Sequence, residues 1–348
     1  MSETQAGPSA DGAYFESADD GPTPDGSAGF GDDSMPRNDD SPSIPIDLTP
    51  IFGLTGLNFF GSTYAGLFLN YNGSISFGSG ITSFSPTTIS GNTSVPIIAP
   101  FWADVDTRNT KDPSPGTNLI WWDLDPATKT FTATWDDVGY YDEHNDKTNA
   151  FQLRLVGKDT PGDFDIFFIY ESINWLTGDA SGGTGGAGGN MARAGYSSGN
   201  GKNFKEIAES GTAAMANLES LGNAGAGIFL FEVRNGVVPL FTSAGDAVNF
   251  NNLTDEQKAS IAANTDIYHA KGGSDTVVLP EPSRYDQVVG KDKDNNDITL
   301  NWDDSVTFFT ESNVGNVVEI FAGNGRHVIQ TGAGTDNIII NGAGNNTI

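Results

Sequence analysis

Residues 118–170 read NLIWWDLDPATKTFTATWDDVGYYDEHNDKTNAFQLRLVGKDTPGDFDIFFIY, and this stretch decides the fold. Its apolar runs, 119–122, 130–135, 151–156 and 164–170, are each of strand length and rich in aromatic and β-branched residues. Asp125-Pro126-Ala127-Thr128 and the segment 158–163 (KDTPGD) are turn sequences joining such runs. Strand, turn and strand in that order predict an antiparallel meander forming one sheet of a sandwich. The texture begins near Ile46, with further runs at 67–71 and 95–101. Residues 178–190 (GDASGGTGGAGGN) have no side chains with which to build a core and read as a surface loop.

Outside the sandwich the chain changes character. Residues 1–45 hold ten acids, among them Asp32, Asp33, Asp39 and Asp40, against one base, Arg37, and are rich in Gly, Pro and Ser. Such a segment buries too little to offset its ordering entropy and reads as disordered. Thr254 followed by Gln257 forms a capping box that predicts a short helix over 255–263, linking the sandwich to a repetitive C-terminal part.

Composition narrows the function classes. Against 45 Asp and Glu stand 17 Lys and Arg, a net charge of −28 that repels nucleic acid and anionic membranes but suits divalent cations. The absence of cysteine excludes disulfides and thiol chemistry, and a bacterial exported protein fits better than a disulfide-stapled animal one. No apolar run reaches the roughly 18 residues of a membrane span. The first residues, MSETQAGPSADGAYFES, lack the basic start and apolar stretch of a signal peptide. The pattern breaks off inside a repeat at Ile348, so export is expected to use a C-terminal, type I-like signal beyond this chain.

Six segments occur in a characteristic order: 58–80 (NFFGSTYAGLFLNYNGSISFGSG), 95–109 (VPIIAPFWADVDTRN), 131–156, 162–189, 192–204 (ARAGYSSGNGKNF) and 227–236 (GIFLFEVRNG). Together they resemble the NIDO domain of nidogens and tectorins across residues 54–236. The resemblance implies an extracellular location and a role in adhesion or matrix assembly, and it carries over no catalytic residues. The cysteine-rich neighbours usual in animal members are absent.

Toward the C-terminus, Ile320, Ile329 and Ile338 fall nine apart, and the pairs Gly323/Gly325 and Gly332/Gly334 repeat ahead of them in phase. This resembles the calcium-binding nonapeptide of RTX proteins, in which glycines expose carbonyl oxygens, an Asp supplies anionic oxygen and an apolar residue packs between turns of a β-roll. The ligand position holds His327, Asp336 and Asn346, so one copy of the three has the carboxylate. Asp266 and Asp275, also nine apart, read as a degenerate earlier copy. Calcium is therefore expected at a partial site set comprising Asp266, Asp275, Gly323, Gly325, Gly332, Gly334, Asp336 and Asn346.

Other motifs weigh less. Asp292, Asp294, Asn296 and Asp303 have EF-hand spacing, but Asp297 stands where glycine is needed, which favours a solvated acidic loop. Asp104, Asp106 and Arg108 can coordinate a cation or fix a turn by side-chain hydrogen bonds, and the turn is the simpler reading. Gly195 to Gly199 fits G-x-S-x-G without the strand, turn and helix of a nucleophile elbow. Gly183, Gly185 and Gly188 spell GxGxxG inside a glycine run with no βαβ unit around it. His144 reads as a solvated loop histidine, and Trp102, Trp135 and Trp175 as core. Adjacent Trp121 and Trp122 must point to opposite faces of a strand.

The expectation is a mainly β chain: an acidic segment 1–45, an antiparallel β-sandwich over 46–238, a linker with a short helix over 239–264, and a partial parallel β-roll over 265–348. Its expected work is non-catalytic adhesion to an extracellular matrix protein, cell-surface protein or glycan, with self-association as a further mode. The alternatives are a secreted hydrolase using both regions for delivery, and a self-assembling surface layer.

Overall fold

The computed structural model describes residues 31–348 except 32, 90–92, 94, 111–115, 202, 237, 239–240, 242–244, 251–252, 254–266, 271–273, 280–286, 292–296, 302–306, 311–316, 323–327, 331–334 and 341–346. Two compact units divide the chain between Val238 and Pro239.

In the first unit the meander is present. Leu119–Asp125, Thr130–Tyr140, His144–Gly157, Phe164–Ile173 and Ile228–Val233 are successive antiparallel neighbours in one sheet. A second antiparallel sheet runs in the order Phe204–Glu206, Arg193–Ser197, Ile97–Trp102, Ser74–Ser76, Gly66–Asn70 and Ile46–Asp47. Alternation along Thr130–Tyr140 shows why the sequence chooses this arrangement. Phe131, Ala133 and Trp135 enter the core, while Thr132, Thr134 and Asp136 take the other face. A bulge at Asp137, whose φ is +48°, then resets the parity so that Val138 and Tyr140 return to the core.

Aromatic residues from both sheets meet between them. Trp135 stacks on Phe151 at 4.9 Å, Phe101 lies 5.2 Å from Phe151, and Tyr196 lies 5.4 Å from Phe231. Two hydrogen bonds cross the core, from the Trp135 indole to the Tyr71 carbonyl (3.0 Å) and from the Tyr170 hydroxyl to the Pro100 carbonyl (2.6 Å). Each satisfies a polar atom that burial would otherwise strand.

Residues 31 and 33–45 are folded, which corrects the expectation of disorder over the whole of 1–45; residues 1–30 and 32 lie outside the described residues. Asp33–Ser34 pairs with Leu119–Asp125 on the edge of the first sheet, and Met35 is buried in the core. The chain then crosses to the second sheet, where Ser43 donates to the Leu69 carbonyl at 2.7 Å. On the way, Arg37 donates through Nη1 to the carbonyls of Thr107 (2.8 Å) and Asn118 (2.9 Å) and through Nη2 to that of Thr117 (3.0 Å). Specific contacts from Met35 and Arg37 outweigh the composition around them.

The second unit is built on parallel strands. Ala247–Asn249, Thr276–Val278, Val317–Ala322 and Thr335–Ile340 form one parallel sheet, and Ile267–Ala270, Thr307–Thr310 and Val328–Gln330 form another. The chain alternates between them, and Ile320 registers against Ile338, 18 residues on (338 − 320). The nine-residue spacing is thus half a turn of a parallel coil, with Ile329 on the opposite sheet. A hairpin of Gln287–Lys291 and Asp297–Asn301 is inserted in one turn. The expected helix over 255–263 lies outside the described residues.

Candidate functional site

Three carboxylates converge where the crossing segment passes the end of the second sheet. Asp39 and Asp40 come from that segment, and Asp104 from the turn between Ile97–Trp102 and Val105–Asp106. One oxygen from each lies within 4.8 Å of the others. Local hydrogen bonds set this convergence. Asn72, in the turn after Gly66–Asn70, donates Nδ2 to Asp40 Oδ1 (2.9 Å) and accepts the Val105 N–H at its own Oδ1 (2.9 Å). The Asn38 carbonyl accepts the Thr107 N–H at 3.0 Å, and Asn38 Oδ1 accepts the Asp39 N–H at 2.7 Å.

Asp104 and Asp106, two residues apart, have opposite surroundings. Asp106 is saturated: it accepts the Arg108 N–H (3.0 Å), Arg108 Nε (2.8 Å) and Nη2 (2.5 Å), and the Glu143 N–H (2.9 Å). Asp104 is 1% exposed, and among the described residues neither of its carboxylate oxygens is held by a well-formed hydrogen bond, the Ser181 hydroxyl being a neighbouring donor. Oδ1 of Asp39 is likewise buried without a partner, while its Oδ2 lies 3.4 Å from Arg108 Nη2. The turn-fixing reading thus holds for Asp106 and Arg108 and fails for Asp104.

Burial chiefly, followed by the charges of neighbouring aspartates, pushes Asp39 and Asp104 each up to about 7 from an ordinary value of 3.8. Arg108 opposes the rise at Asp39, and the Ser181 hydroxyl opposes it at Asp104. Both pKa values are higher folded than unfolded, so between about pH 4 and pH 7 the folded state binds more protons. Stability from these groups is complete below the unfolded value and lost as pH rises through the folded one. In the presence of chelator, the urea midpoint is expected to fall from pH 5 to pH 8 by an amount that Asp104→Asn reduces. A midpoint that rises over this range, identically in D104N, contradicts the assignment.

The residues that the sequence marks as calcium ligands are distributed differently. Asp266, Gly323, Gly325, Gly332, Gly334 and Asn346 lie outside the described residues. Asp336 falls on Thr335–Ile340, in register with Val318. Asp275 is buried just before Thr276–Val278, and its Oδ1 accepts the Asp246 N–H at 2.8 Å. Its Oδ2 has no hydrogen-bond partner, and burial pushes its pKa up to about 7. Residues 292–296 and 303 of the EF-hand-like spacing are outside the described residues, while Asp297 begins a hairpin strand.

The remaining motifs are structural. Ser197 is fully buried in Arg193–Ser197, where its Oγ contacts Thr93 Oγ1 (3.1 Å) and accepts the Gly199 N–H (3.0 Å). The glycine run packs on the domain: Gly186, at φ +81°, offers its carbonyl to the Leu176 N–H, and a Cβ there would come within 2.8 Å of Trp175 Cβ. His144 stacks on Tyr140 at 4.7 Å, and its Nε2 lies 2.9 Å from Asp179 Oδ2. Trp102, Trp135 and Trp175 are buried, whereas Trp121 and Trp122 are half-buried.

Comparison with known proteins agrees with this architecture. The model of the family described as "Nidogen-like domain" matches residues 65–114 and 122–235. The chain is 35% identical over 212 residues to alpha-tectorin of Mus musculus and 34% identical over 212 residues to that of Homo sapiens, covering 55% of this chain and 10% of each relative. To nidogen of Drosophila melanogaster it is 27% identical over 204 residues, 51% of this chain and 14% of the relative. The chain therefore spans about a tenth of the length of the first curated relatives it matches. No solved structure matches it.

Proposed function

Because residues 65–114 and 122–235 match the nidogen-like domain family, we propose that this chain is a non-catalytic adhesion or matrix module working outside the cell. The family match carries the reading, and the sandwich on which it falls supports it. Similarity to an alpha-tectorin and a nidogen favours a partner in a matrix or on a cell surface, protein or glycan. A net charge of −28 disfavours anionic polymers as partners. The G-x-S-x-G match gives no support to the hydrolase alternative, since Ser197 is buried within a strand.

Calcium stiffening of the C-terminal unit completes the proposal. The glycine-bearing segments 323–327 and 331–334 fall in sequence between successive strands of a parallel coil, where nonapeptide ligands would be placed. A cation that binds the folded coil alone stabilises it by mass action.

Solid-phase binding of the purified full chain to matrix proteins and a glycan array, with calcium and with chelator, tests the reading. Saturable binding with a dissociation constant on the order of micromolar or tighter, lost on heat denaturation, is the expected result. Turnover of ester, glycoside or peptide reporters without such binding would favour the hydrolase. Concentration-dependent sedimentation without foreign binding would favour a self-assembling layer.

A further inference from the structure

We propose that Asp39, Asp40 and Asp104 together hold one divalent cation, calcium by the chemistry of an all-oxygen donor set, and that the ion clasps residues 35–45 onto the sandwich. Acidic side chains crowd many protein surfaces without a metal, so their proximity within 4.8 Å does not by itself make a site. What distinguishes this cluster is Asp104, which is 1% exposed and among the described residues has no well-formed hydrogen bond at either oxygen, the Ser181 hydroxyl offsetting its burial only in part. A carboxylate removed from water without donors is costly, and native structures avoid it unless a counter-charge is supplied.

Among the described residues no cation pairs with Asp104. Arg108 is the nearby cation, but its Nε and Nη2 are engaged by Asp106 at 2.8 and 2.5 Å, and it reaches Asp39 only at 3.4 Å. Asn72 orients one oxygen of Asp40 and leaves the other for a ligand. Gly178 closes the far side, since a Cβ there would stand 2.5 Å from Asp104 Oδ2. The donor set contains no imidazole or thiolate, which selects a hard cation over zinc or copper. Asp39 and Asp104 are 65 residues apart (104 − 39), so one ion bridges two segments that reach the site from different parts of the chain. This proposal stands independently of the adhesive reading and of calcium at the C-terminal repeats.

Calcium titration of the chelator-treated full chain by calorimetry, comparing wild type with Asp104→Asn, Asp39→Asn and Asp275→Asn, separates the possibilities. Asp104→Asn and Asp39→Asn are each expected to lose one calcium equivalent per chain, while Asp275→Asn keeps it. Calcium at about a hundredfold excess over its dissociation constant is expected to raise the wild-type Tm by about 5–10 °C, and by much less in the two site variants. Amide exchange is expected to slow on calcium addition at residues 35–45 and 103–107 in wild type alone. Should Asp104→Asn fail to fold, Asp39→Asn, whose side chain retains 15% exposure, carries the test. Wild-type binding of no calcium up to about 10 mM, or undiminished stoichiometry and exchange response in the folded site variants, would overturn the proposal.

Discussion

Trp135→Ala is expected to lower the stability of the first unit by about 3–5 kcal/mol, read as a drop in the urea midpoint at unchanged slope. The side chain is fully buried, stacks on Phe151 at 4.9 Å, and joins the two sheets by donating to the Tyr71 carbonyl at 3.0 Å. Alanine removes the packing, opens a cavity and removes one of that carbonyl's two donors, the Gly73 N–H at 2.8 Å remaining. Trp135→Phe separates the contributions, since it keeps a ring against Phe151 and loses the hydrogen bond; about 1–3 kcal/mol is expected. A cost below about 1 kcal/mol for the alanine variant would mean that the sheets do not meet through this residue.

Gly73→Ala is expected to cost more than about 4 kcal/mol and to leave little folded protein. Gly73 has φ +73°, and a Cβ there would lie 1.7 Å from the Phe101 carbonyl oxygen, whose chain neighbours form the next strand. Gly78→Ala is the control. It has φ +84° with open space around the added methyl, so it isolates the backbone preference, worth about 1–2 kcal/mol. Gly73 follows Asn72, which holds both Asp40 and Val105, so any folded Gly73→Ala should also respond less to calcium. Equal costs at the two glycines would show that the turn relaxes away from Phe101.

The meander was legible because its information is local. Runs 119–122 and 130–135 are joined by the turn sequence 125–128, and runs 151–156 and 164–170 by 158–163, so neighbours in sequence are neighbours in space. The nine-residue spacing of Ile320, Ile329 and Ile338 likewise carries the parallel coil, because each step is one half-turn. The carboxylate cluster was half legible. Asp104 stood out in FWADVDTR, yet nothing local distinguishes it from Asp106; the difference lies in Arg108 and the Glu143 N–H, which turn toward one and not the other. Asp39 and Asp40 were hidden by composition, since an acid-rich, Gly- and Pro-rich segment averages to disorder. Arg37 and Met35 tie down its last part through contacts with residues 107 to 120 that no local window contains.

The long-range ties of this fold share one property. Arg37 reaches 81 residues to Asn118, Tyr170 reaches 70 to Pro100, and Trp135 reaches 64 to Tyr71, all through hydrogen bonds in a chain without cysteine. A disulfide persists when a protein unfolds and keeps the denatured chain looped, whereas these ties vanish with the fold. The unfolded polypeptide is therefore an unbranched thread able to pass lengthwise through a pore too narrow for any loop. Because its closures each span dozens of residues, it regains shape slowly, at a pace set by contact order.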